Sequence, residues 1–117
     1  MTFTNQALSS LTSQIESSVR KMYYDCIENK PNGVSCVAIE SSELIISIKR
    51  EYSDTEKFLL RQKRLDLYND VEKAVVQILG EKLLQLLEQS FGLSVAHITP
   101  VMSFSPHTLK WVVLIRS

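Results

Sequence analysis

The segment from Val71 to Phe91 carries more apolar surface than an ordinary surface helix can hide. On a helical wheel at about 100° per residue, Val71, Val75, Ile78, Leu79 and Leu86 form one stripe, and Val76, Leu83, Leu84 and Leu87 widen it. Together they cover roughly two-thirds of the circumference, against the ~100° stripe of a helix that packs on a single core. Only Gln77, Glu81, Gln85 and Glu88 make a clearly polar face. One face can lie on a sheet; the remainder has to be covered by another helix or by another subunit. In so small a domain we expect a homodimer, the commonest soluble oligomer. Val76, Leu83, Leu84 and Leu87 are its candidate dimer or helix-packing residues.

The chain has 117 residues, the length of one domain. Hydrophobic residues make up 44% and charged residues 22%, which supports a real core and excludes a disordered class. Lys+Arg and Asp+Glu are both 13, so overall charge selects no polyanion, and any electrostatic site must come from local clustering. No apolar run approaches the roughly 18 residues that span a bilayer. The start, MTFTNQALSSLTSQIE, lacks a basic region followed by an apolar one. A cytoplasmic location without a membrane partner is the expectation.

The remaining segments predict an α+β domain. Leu8, Leu11, Ile15, Val19, Met22 and Cys26 step by threes and fours, so a helix is expected over about 5–28. NKPNG ends it. VSCVAIE and LIISIKR are rich in β-branched residues and predict a hairpin over about 34–50. Ser53 followed by Glu56 is a capping box, and Asp54 with Glu56 suits the positive end of a helix dipole. A long helix over about 54–91 follows, bent near 65–70 where Asn69 and Glu72 offer a second cap, and Gly92 closes it as the residue past the end. SVAHITPVMSF and TLKWVVLIR predict a second hairpin over about 94–116, with Pro100 marking an edge, bulged or interrupted strand. The order α-β-β-α-β-β predicts a two-layer fold, a mostly antiparallel four-stranded sheet with helices on one face.

Signals for catalysis are weak. Cys26 and Cys36 match no zinc or thioredoxin spacing and read as small buried hydrophobes. A Cys–His nucleophile using His97 has nothing behind it beyond residue identity. His97 and His107 lack thiolate or carboxylate companions for a metal. Gly33, Gly80 and Gly92 are too far apart for a phosphate loop. Neither a catalytic residue, a metal nor a cofactor is expected.

The strongest local feature is basic. Lys49, Arg50, Lys57, Arg61, Lys63 and Arg64 are offset by Glu51, Asp54 and Glu56, a local net of 6 − 3 = +3. Lys57, Arg61 and Arg64 step by four and three along one helix face. The plain reading is a solvated face with charges paired inside the helix. The functional reading is an acidic protein partner, ahead of nucleic acid, because few aromatics interleave to stack bases.

KPNGVSCVAIESSELIISIKREYSDTEKFLL, a long helix, and then FGLSVAHITPVMS resemble the YbcI-like family of small bacterial proteins. The matching positions are Gly33 and Val34, then Tyr52, Ser53 and Glu56, then Gly92 and Val95, within residues 30–117. Tyr52 and Ser53 stand where that family has Leu-Thr. The resemblance implies a small bacterial cytoplasmic protein and brings no catalytic residues with it. The leading expectation is a non-enzymatic regulatory or protein-interaction module acting as a homodimer. The alternatives are a ligand-sensing or enzymatic domain with a pocket between sheet and helices, using His97, His107 or Trp111, and nucleic-acid binding through residues 49–64.

Overall fold

The computed structural model describes residues 5–101 and 107–116. Helix α1 (Asn5–Ile27) leads into strands β1 (Gly33–Ile39) and β2 (Glu43–Lys49). Helices α2 (Asp54–Arg61) and α3 (Leu65–Gln85) follow, and α3 runs on into one wide π-type turn over Leu86–Ser90. Strands β3 (Val95–Val101) and β4 (Thr108–Ile115) complete the chain. The fold is α+β, with an antiparallel four-stranded sheet in the order β1-β2-β4-β3.

Alternation along the strands decides which face of the sheet is covered. Leu44, Ile46 and Ile48 of β2 and Leu109, Trp111, Val113 and Ile115 of β4 point inward and are buried. Helix α1 contributes Leu8, Ile15, Val19 and Tyr23 to the same core and lies against β1, while α3 lies against β3. The opposite face stays bare. Val37 pairs with Ile45, Ile45 with Val112 and Val112 with Thr99, which sets an apolar row across that face.

Both edges of the sheet are blunted. Glu16 of α1 accepts a hydrogen bond of 2.9 Å from the Cys36 backbone N–H, so the helix covers the β1 edge. On β3 the register shifts between Val95 and His97, and Pro100 removes an N–H, two devices that discourage strand addition.

The helix expected over 54–91 is two helices. Ser53 and Glu56 make a reciprocal capping box at the start of α2. The break comes at 62–64, ahead of the expected bend. Lys63 adopts a left-handed backbone with φ +57°. Its N–H donates to the Leu60 carbonyl at 3.1 Å, and the Arg64 N–H donates to the Leu59 carbonyl at 2.9 Å. This is a Schellman ending with lysine where glycine is usual, which is why no glycine or proline announces it. Asn69 starts nothing and lies within α3. At the far end Gly92 has φ +65°, and the Leu93 N–H reaches back to the Leu87 carbonyl at 3.1 Å.

The chain itself covers part of the excess apolar width of α3. Leu79, Leu83 and Leu87 are fully buried in the core. Leu83 and Leu87 are therefore core residues of their own chain, not free surface for a second copy. Val76 and Leu84 are half-buried, and Ile78 is exposed.

Candidate functional site

The predicted basic cluster does not form one surface. Arg50 continues the inward phase of Leu44, Ile46 and Ile48, and is 2% exposed. Its Nη1 donates to Glu56 Oε2 at 3.3 Å, its Nη2 makes a second, short bond to Oε1, and its Nε donates to the Tyr23 hydroxyl at 3.2 Å. Glu56 Oε1 also accepts from the Ser53 backbone N–H at 3.1 Å and from the Ser53 hydroxyl at 2.9 Å. Burial alone would raise the Glu56 pKa. The Arg50 guanidinium and the Ser53 hydrogen bonds outweigh it and hold the carboxyl below its ordinary value. Burial disfavours the charged Arg50, but the bonds to Glu56 and Tyr23 outweigh that too, and its pKa is raised. The cluster ties α1, the end of β2 and the start of α2 together; Arg50 is unavailable to an outside partner.

The other basic residues divide. Lys49 lies on the bare sheet face. Arg64 forms an exposed ion pair with Asp66, its Nε donating to Oδ1 at 3.2 Å and its Nη2 to Oδ2 at 3.0 Å. Lys57, Arg61 and Lys63 are exposed and have no ion-pair partner among the described residues. Helix α2 buries Glu56 and Leu59 on one side. At about 100° per residue the opposite side holds Arg61 between Lys57 and Phe58. Phe58 is 54% exposed, and just across the break Leu65 is 59% exposed and Leu67 is also exposed. Sequence reasoning overlooked these apolar residues; the signal available was the shared wheel face of Phe58 and Arg61. The corner between α2 and α3 is thus both basic and apolar.

A second feature lies between α3 and the edge strand β3. Val76, Gly80 and Leu84 form one wall, Ile98 and Pro100 the other, and Trp111 the floor of an apolar groove of about 730 Å³. Of the candidate packing residues, Val76 and Leu84 line it. Of the three residues suggested for a pocket, it takes in Trp111 alone. His97 pairs with Leu114 on the edge strand, and the His107 ring lies against Tyr52 with centroids 4.6 Å apart.

The cysteines are placed for packing. Cys36 is buried on β1, and burial, with the charge of Glu16, pushes its thiol up to about 12. It stays a thiol at neutral pH and is a poor nucleophile. β1 and β3 are opposite edges of the sheet, three strand spacings of about 4.8 Å apart, so Cys36 and His97 cannot meet. Cys26 is half-buried on α1.

A family model described as MpsC, a Na+-translocating membrane potential-generating system, matches residues 8–112. The chain belongs to the MpsC family. This corrects the resemblance to YbcI-like proteins. Gly33–Val34, Ser53–Glu56 and Gly92–Val95 are turn and cap devices that an unrelated chain with the same element order also needs, whereas the MpsC match runs from α1 into β4. No curated protein and no solved structure matches the chain. Among the described residues no helix is long and apolar enough to cross a membrane.

Proposed function

We propose that the protein is a non-catalytic interaction subunit of a membrane-associated ion-translocating assembly, and that it docks on another component through the α2–α3 corner. One observation carries this reading: Phe58, Leu65 and Leu67 stand exposed beside Lys57, Arg61 and Lys63, whose charges are unpaired among the described residues. One exposed aromatic and two exposed leucines rimmed by unpaired cations suit a partner surface that is acidic at its edge and apolar at its centre. The description of the MpsC family supplies the setting, a system that moves Na+ and generates a membrane potential. Without a membrane-crossing helix of its own among the described residues, the chain would serve such a system by binding a component already in the membrane.

The test is cosedimentation with native membrane vesicles from the host cell, run beside liposomes made from the lipids extracted from them. The expected result is binding to native vesicles that falls with salt, is lost when protease shaves the vesicles, and is lost in Lys57→Glu/Arg61→Glu. Equal binding to the lipid-only liposomes would assign the corner to lipid instead of protein. Absence of binding to either would overturn the proposal.

A further inference from the structure

Trp111 is 1% exposed, yet its indole Nε1–H has no hydrogen-bond partner among the described residues. Indole N–H groups usually find a partner when buried. Among the described residues, every buried side-chain nitrogen or oxygen fully sealed from solvent does have one. The unpaired Nε1 is therefore not sealed, and the space Trp111 borders is the groove between α3 and β3. Gly80 keeps that atom uncovered: a Cβ there would sit 3.2 Å from Nε1. Glycine is a poor residue for the middle of a 21-residue helix, so its presence beside the donor on the groove floor is a local cost with a spatial consequence.

We infer that the groove is a binding site for a small neutral molecule with an apolar body and a carbonyl-type acceptor, which takes the Trp111 Nε1 hydrogen bond. Three observations fix the class. The volume, about 730 Å³, lies in the range of small-molecule sites. The walls are apolar, and the floor offers one donor, which demands an acceptor at one point of the ligand. At the rim Glu72 and Glu81 stand against the single cation Lys73, a balance that disfavours an anion.

The chain has one tryptophan, so its fluorescence reads the site directly. The probe pair is 2-acetylnaphthalene and 2-isopropenylnaphthalene, which match in shape and differ in that a carbonyl oxygen replaces a methylene group. Saturable quenching of Trp111 is expected, with the ketone bound about five-fold more tightly, the factor that one ordinary hydrogen bond supplies. Gly80→Ala, which covers Nε1, is expected to erase that preference. Gln77→Phe, at an exposed rim position, is expected to weaken both probes. Equal affinity for the two probes, no saturable binding, or binding untouched by both variants overturns the inference. Light scattering at the same concentration covers the remaining occupant: a dimer that Gln77→Phe dissociates would assign the groove to a second copy and overturn it as well.

Discussion

Arg50 and Glu56 meet inside the protein, six residues apart, with both Glu56 oxygens hydrogen-bonded to the guanidinium. The pairing joins two local necessities. Arg50, just past the end of β2, takes the next inward position after Ile48, and Glu56 is the third residue of α2, turned back to cap its own helix start. A charge driven inward by strand alternation is met by a charge turned inward by a cap, and the Tyr23 hydroxyl accepts from the Arg50 Nε–H.

Removing one partner strands the other. Arg50→Met is expected to cost about 3–5 kcal/mol, the usual cost of leaving a buried charge unpaired. The double variant Arg50→Met/Glu56→Met is expected to be more stable than Arg50→Met, less the loss of the cap, about 1 kcal/mol. Urea unfolding of the three chains checks this; equal losses in single and double variants would refute it.

The same pair sets an acid limit. Glu56 has a folded pKa below its ordinary value of 4.5, so the unfolded chain binds more protons in that range. Its contribution is present above the unfolded pKa and is lost as pH falls through the lower folded value. Stability measured by urea unfolding between pH 6 and about pH 3 is expected to drop on the acid side, and Glu56→Gln is expected to flatten that drop.

Lys63 sits in the left-handed region at φ +57°, where a side chain is disfavoured. Lys63→Gly is expected to stabilise the protein by about 1 kcal/mol, or a few degrees in Tm. Thermal unfolding measures it. Because Lys63 also belongs to the proposed docking corner, the same variant is expected to weaken vesicle binding while raising Tm.

Leu83 is buried by its own chain, whereas Ile78 is half-exposed. Leu83→Ala is expected to cost about 2–5 kcal/mol, independent of protein concentration. Ile78→Ala is expected to cost less than about 1 kcal/mol. A Leu83→Ala loss that grows on dilution would mean that a second chain covers this position.

Element types and their order are legible in the chain, because strand alternation, helical stripes, the Ser53–Glu56 box and Gly92 are local signals that act within a few residues. Pro100 also marks β3 as irregular. Tertiary structure alone decided the rest. The helix break at Lys63 rests on a left-handed lysine that no composition rule flags. Arg50 read as surface charge because its partner, Glu56, already had a sufficient local role in the cap; only packing against Tyr23 turned the two into a buried pair. The wide apolar face of α3 counted residues without saying what would lie over them. The core took Leu83 and Leu87, and the groove above Trp111 received Val76 and Leu84, a division set by where β3 and α1 come to rest. Local chemistry can be read one segment at a time, but which charge finds which partner depends on residues far apart in the chain.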